Sequence, residues 1–132
     1  MKVDKFGRTV LHHVAVDLPR EKHSREIARL ISEGYDPNQK DKNGWTPLHF
    51  AAQECSLDAV QALLAHGANI DAQDSNGNTP LSEAVFRYTG DGGVVLALLK
   101  AGADPEKENA HGASPRSLAD TIANYDVRKF FK

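Results

Sequence analysis

Residues 41–49 read Asp41-Lys42-Asn43-Gly44-Trp45-Thr46-Pro47-Leu48-His49, and the second part of that phrase returns three more times. Gly7-Arg8-Thr9-Val10-Leu11-His12 precedes it, and Gly77-Asn78-Thr79-Pro80-Leu81-Ser82 and Gly112-Ala113-Ser114-Pro115-Arg116-Ser117 follow. The four glycines stand 37, 33 and 35 residues apart. Each phrase carries local physics. Asn43-Gly44 predicts a tight hairpin with positive φ at its tip. Thr46 is placed to cap a helix, and Pro47 suits the first helical position, where its missing N–H costs nothing. Leu48, Ala51 and Ala52 then share one helical face, and the two alanines are small enough for helices to approach closely. Leu57, Val60, Leu63 and Leu64 mark the apolar face of a second helix, which Gly67 closes. A hairpin followed by two short helices, repeated about every 33 residues, predicts an all-α repeat solenoid of about four units in a single elongated domain.

The same grammar runs through the rest of the chain. Ile27, Leu30 and Ile31 make the second helix of the first unit, before Gly34, and Val95, Leu98 and Leu99 make that of the third, before Gly102. The fourth unit reads as a terminal cap. It runs from Pro115 to Ile122 and then through a short helix from Asp126 by way of Val127 to Phe130 and Phe131, which either complete the last core layer, as an end repeat requires, or form a dimer patch. Its Arg116 stands where the other units place a core leucine, which suits an end facing water. Two insertions, Leu18–His23 and Thr89–Gly93, are expected to form loops between the paired helices.

Composition narrows the class. The chain has 132 residues, 40% of them apolar, and a formal net charge of −2. Residues 1–66 carry nine basic and nine acidic side chains, and residues 67–132 carry seven and nine. With no basic stripe, nucleic acid is not an expected partner. The longest apolar runs, such as Val94–Leu99, are far too short to span a bilayer, so no membrane partner is expected either. One cysteine, Cys55, permits no intrachain disulfide and fits a reducing, cytoplasmic setting.

A 33-residue period built on Thr-Pro-Leu-His resembles the ankyrin repeat across essentially all 132 residues. The resemblance implies repeats at about 4–40, 41–73, 74–108 and 109–132, the last as a C-terminal cap. It implies helix-turn-helix units joined by β-hairpin loops, and imidazoles at His12 and His49 that brace adjacent hairpins. Cys55 takes a place where the family usually has glycine, so either its backbone is mildly strained or the turn differs locally. Partners of such proteins bind the hairpin tips and the concave side of the first helices. Carried over, that surface is Lys5, Phe6 and Arg8; then Lys42, Asn43, Trp45, Gln53 and Glu54. The third repeat adds Ser75, Asn76, Asn78, Phe86, Arg87 and Tyr88, and the fourth Ala110, His111 and Ala113. Aromatic and arginine side chains on a solvated surface bury much area at little entropic cost, so they suit interface anchors. Trp45 is the lone tryptophan; it either contacts a partner or packs on neighbouring hairpins and covers Arg8 or Asn78.

Catalytic and ligand chemistry finds little support. No pair among the six histidines has ligand spacing with cysteine or carboxylate support, so no metal and no cofactor is expected. Gly90-Asp91-Gly92-Gly93 lacks the preceding strand and the Lys-Ser/Thr of a phosphate loop and reads as a flexible connector. Cys55 has no partnered base, and no constellation with assigned roles emerges, so the chain is expected not to be an enzyme.

The C-terminal half carries a narrower likeness. Gly77–Phe86 with its Gly-Asp-Gly loop, Gly102-Ala103-Asp104-Pro105, Gly112-Ala113-Ser114-Pro115 and Ile122–Val127 ending at Phe130-Phe131 are similar to small stand-alone bacterial ankyrin proteins encoded beside polymorphic secreted toxins. That resemblance implies an immunity protein that binds and neutralises a cognate toxin domain, with Glu54 and Asp17 facing basic groups of a nuclease. The alternative is a cytosolic adaptor or regulatory subunit that binds a housekeeping protein; an effector sent into a host cell is a third reading. On its own the chain is expected to be a monomer.

Overall fold

The computed structural model describes residues 2–121 and 127–131. Among these lie seven α-helices: α1 (Val10–Asp17), α2 (His23–Ser32), α3 (Pro47–Gln53), α4 (Leu57–Ala65), α5 (Pro80–Phe86), α6 (Gly93–Lys100) and α7 (Pro115–Thr121). Helices α1, α3, α5 and α7 pack in succession as one layer, and α2, α4 and α6 form the second. The core runs between the layers. Leu48, Ala51, Ala52, Ala59 and Val60 have no exposed surface, and Leu11, Ile27, Leu63, Leu81 and Leu98 continue the same line from repeat to repeat. The alanines matter because bulkier side chains there would hold α3 off its neighbours.

Four tips project from one edge of the stack, and one device builds them all. In the second tip Asp41 N–H donates to the Trp45 carbonyl at 2.9 Å and Gly44 N–H donates to the Asp41 carbonyl at 3.0 Å. Asp41 Oδ1 then accepts from the N–H groups of Asn43 and Trp45 at 2.8 and 2.9 Å. Asp4, Asp74 and Asn109 do the same in their own tips. Successive tips are tied by single backbone bonds: Lys42 N–H to the Phe6 carbonyl, Ser75 to Asn43 and Ala110 to Asn76, at 2.8–2.9 Å. The tips are turns, and no ladder strand forms among the described residues. Of the pair Asn43-Gly44, only the glycine takes positive φ. The carboxylate of Asp41 selects this outcome, because it pins the turn into a type I shape followed by one left-handed residue.

Two buried imidazoles lock the tips onto the helices. Thr9 N–H donates to His12 Nδ1 at 2.9 Å, which places the proton on Nε2, and Nε2 donates to the carbonyls of Gln39 and Trp45. His49 repeats this, with Thr46 N–H on Nδ1 at 3.1 Å and Nε2–H on the Asn78 carbonyl at 2.9 Å. Each histidine therefore spans one repeat to the next, as the resemblance implied.

The second insertion runs as a loop up to Gly92, as expected, whereas the first is more ordered than a loop. Residues Arg20–Lys22 form a 3-10 turn that delivers His23 as the first residue of α2. His23 is buried, with Nδ1 2.7 Å from Ser56 Oγ and Nε2 2.8 Å from the Leu18 carbonyl. In the third repeat, Gly92 is buried directly beneath the Phe130 ring, where any side chain would collide with it. The glycine run is thus a seat for the C-terminal cap as well as a connector. That cap ends in a 3-10 segment, Val127–Phe131, rather than an α-helix. Phe131 joins the core and Phe130 packs on Tyr88 at 5.7 Å between centroids. The expected residues Ile122 and Asp126 lie outside the described residues.

Cys55 takes the strained alternative, with φ +55°. Left-handed backbone costs a non-glycine residue about 1–2 kcal/mol, partly offset for glycine by its larger loss of chain entropy. Cys55→Gly is therefore expected to raise unfolding stability by about 0.5–1 kcal/mol, while Cys55→Ala leaves it nearly unchanged. Urea denaturation of the two variants checks this; equal stability of both would mean that the turn relaxes at no cost.

Candidate functional site

The tips and the first-layer helices enclose a concave surface, and one hollow in it is built upward from Asp41. One oxygen of that buried carboxylate holds the second tip. The other accepts from Arg8 Nε at 3.1 Å, with the Asp41 side chain fully buried and the Arg8 side chain 25% exposed. The pairing fixes the arginine in place. Arg8 then lies between two rings, 4.9 Å from the Phe6 centroid and 4.9 Å from that of Phe50. Trp45 continues the row at 4.9 Å from Phe50 and 5.5 Å from His49. The result is a pre-assembled Phe6–Arg8–Phe50–Trp45 array whose members hold one another in place.

Beside this array opens a hollow of about 400 Å³, lined by Arg8, Asn43, Trp45, Phe50, Gln53, Ser75 and Asn76. Its lining combines two aromatic rings and an arginine with amides and a hydroxyl. Such a lining takes a protruding side chain or a short extended segment, with the amides satisfying backbone groups.

The sequence-predicted residues divide into groups. Arg8, Asn43, Trp45, Gln53 and Asn76 meet in the hollow together with Ser75. Phe6, 44% exposed, extends it through Arg8; Phe86, 48% exposed, stands at the end of α5 with exposed Arg87 beside it. Lys42 and His111 are exposed on their tips, and Glu54 is exposed at the end of α3. Asn78 is half-buried and structural in part, since its carbonyl accepts from His49 and its side chain accepts from Asn109 Nδ2 at 2.9 Å. Trp45 is likewise half-buried, packed on His49 and Phe50 of its own repeat. Tyr88 corrects the expectation. It is 5% exposed and belongs to the core, because the longer helix–helix connection of the third repeat turns it under Phe130.

Sequence reading missed Phe50, whose ring joins Arg8 to Trp45, and the tip carboxylates. Both had a signal. An Asp or Asn stands three residues before the glycine of every repeated phrase, at 4, 41, 74 and 109. Phe50 sits off the Leu48–Ala51–Ala52 face, where a large ring has no core position to fill.

The electrostatics of the site are those of a binding surface. Burial pushes the pKa values of His12 and His49 below the ordinary imidazole range, with backbone hydrogen bonds to carbonyls opposing, so both rings are neutral braces near neutral pH. Burial raises the Cys55 thiol, which keeps it protonated. Among the described residues no three His, Cys, Asp or Glu side chains converge to hold a metal ion, and no helix is long and apolar enough to cross a membrane.

Comparison with known proteins agrees with this architecture. Residues 11–109 match the family model described as ankyrin repeats (3 copies). The chain is 37% identical to the B-cell lymphoma 3 protein homolog of Mus musculus over 92% of its own length and 26% of that protein's. It is 41% identical to potassium channel AKT1 of Arabidopsis thaliana over 80% of this chain and 20% of the channel. With the human transient receptor potential cation channel subfamily A member 1 the identity is 33%, over 86% of this chain and 10% of that one. The chain thus spans about a quarter or less of the length of these relatives. Tips, bracing histidines, paired helix layers and matched residues agree, and the chain belongs to the ankyrin-repeat family of protein–protein interaction modules.

Proposed function

We propose that the concave hollow holds one protein partner, and that this partner is a toxin domain which the chain neutralises by occupying its surface. The observation that carries the binding reading is the Arg8 guanidinium fixed between Phe6 and Phe50 beside an open, amide-lined hollow. Aromatic and arginine anchors that are already ordered lose little entropy on binding, which is the usual make-up of an interface hot spot. The toxin reading is supported by the likeness of the C-terminal half to bacterial immunity proteins, and it carries with it a bacterial, cytoplasmic setting. The adaptor reading has its own support: the matched relatives, two of them named as channels, carry such repeats within much longer chains.

The test is co-purification from native cells followed by reconstitution. Phe86→Ala combined with Gln53→Ala removes groups that brace nothing in the fold, and is expected to weaken partner binding about tenfold or more with thermal stability within about 2 °C of wild type. A partner whose isolated domain arrests growth, with rescue by wild type and not by the double variant, supports neutralisation. A housekeeping partner that causes no arrest moves the function to adaptor. Trp45→Ala is less informative, since it also strips packing from Phe50 and His49.

A further inference from the structure

The repeat gives this chain an internal control, because equivalent positions in successive steps are directly comparable. Between the first and second tips, the buried carboxylate of Asp41 meets the Arg8 guanidinium at 3.1 Å, against the Phe50 ring. Thirty-three residues on, Asp74 occupies the place of Asp41 and Glu83 the place of Phe50, while position 45, the counterpart of Arg8, is tryptophan. The second step therefore keeps the carboxylate, adds another and lacks the arginine.

Both acids are more than nine-tenths buried, Asp74 at 9% exposure and Glu83 at 7%. Asp74 Oδ1 is occupied by the N–H groups of Asn76 and Asn78, each at 2.9 Å. Its Oδ2 has no counterpart of the Arg8 contact, and the side-chain carboxylate of Glu83, on α5, makes no hydrogen bond or ion pair to any described residue, although its backbone is bonded within the helix. No side-chain oxygen among the described residues is both sealed from solvent and unpartnered, so the Glu83 carboxylate opens outward. The nearest cation in sequence, Arg87, lies exposed at the end of α5 and forms no ion pair with either acid, although its charge acts on Glu83 in the favourable sense. Burial first, and then the Asp74 charge, push the Glu83 carboxyl above the usual range, with the Arg87 charge opposing.

We propose that Asp74 and Glu83 form a receptor for a cationic side chain, arginine or lysine, that the protein partner inserts. The inference rests on the protein-binding reading of this surface and names the chemistry of the contact. A partner guanidinium would complete the second step as Arg8 completes the first. Two largely buried carboxylates, one pinned by its own tip and neither paired with a cation, discriminate for such a group, because a neutral side chain there leaves them without a counter-charge.

The test uses N-acetyl-arginine-N-methylamide as probe and its neutral isostere N-acetyl-citrulline-N-methylamide as control, titrated into 15N-labelled protein and followed by amide shifts. Saturable shifts at Asn76, Asn78 and Glu83, with arginine binding at least about fivefold tighter than citrulline, are expected from the charge pairing. Glu83→Gln should abolish that preference, its own amide spectrum reporting an intact fold, while Glu21→Gln, exposed in the Arg20–Lys22 turn, should leave it unchanged. Equal shifts for the two probes, shifts centred elsewhere, or persistence of the preference in Glu83→Gln would overturn the proposal. So would the same shifts produced by calcium chloride with no preference for arginine. The two readings fail separately. A confirmed partner that binds Glu83→Gln as well as wild type removes this receptor alone, whereas arginine selectivity without any protein partner removes the binding reading alone.

Discussion

Gly44→Ala is expected to destabilise the fold by about 3 kcal/mol, against about 1 kcal/mol for Gly67→Ala. Both glycines have positive φ, +78° and +96°, so both variants lose the left-handed freedom that only glycine has without cost. They differ in what surrounds the missing side chain. A Cβ at position 67 meets nothing within 4 Å, whereas one at position 44 would lie 2.7 Å from Ser75 N and 2.9 Å from Asp74 Cα. Those atoms belong to the backbone of the next tip and are held by the Ser75–Asn43 hydrogen bond, so they have little room to yield. Overpacking against fixed backbone adds about 1–3 kcal/mol to the conformational term. Urea midpoints at a constant m-value measure the difference. Equal losses for the two variants would show that tip-to-tip contact does not constrain position 44.

Why the fold was so legible follows from the same contact. In a solenoid each unit solves the same packing problem, so the requirements at one tip are written again about 33 residues later. Thr46-Pro47 and Thr79-Pro80 start α3 and α5 as their chemistry demands, and Leu48, Ala51 and Ala52 are buried as their spacing demands. What escaped sequence reading was set by side-chain contacts that neither a dipeptide rule nor the repeat period encodes. Asn43 takes ordinary backbone because the Asp41 side chain chooses the turn, and a dipeptide rule cannot weigh that carboxylate. Tyr88 is buried because Phe130 returns over it from 42 residues downstream, a contact that no local period encodes. The candidate site was half legible for a related reason. Register identified which positions line the concave side, but not that Arg8 would be taken up by Asp41 and two rings, or that Asp74 would be left without such a partner. Those facts depend on which residue types meet across a step, and each step differs.

The bracing imidazoles supply the other large effect. His49→Ala is expected to cost about 3–5 kcal/mol, while His111→Ala, on an exposed tip, should stay within about 0.5 kcal/mol of wild type. His49 has no exposed surface, and its removal strands the Thr46 N–H, worth about 1–3 kcal/mol when buried without a partner, takes one of the two donors from the Asn78 carbonyl and leaves a void. The same burial makes stability depend on pH. His12 and His49 have lowered pKa values in the fold and the ordinary value near 6.5 when unfolded, so above that value neither state binds a proton and the two contribute no slope. Below it the unfolded chain takes up protons that the folded one refuses, and stability falls with pH by up to about 1.4 kcal/mol per unit for each imidazole until the folded value is reached. Glu83 acts in the opposite sense: its raised value makes the folded state the stronger proton binder, so its contribution is present at acid pH and lost as pH rises through that value. Subtracting His49→Ala from wild type isolates one imidazole from this background. The difference in unfolding free energy between the two proteins should be constant above about pH 7 and narrow steadily below about pH 6.5. A difference that does not change between pH 7.5 and 5 would mean that His49 is protonated as readily inside the stack as outside it, and its place as a neutral brace between repeats would be lost.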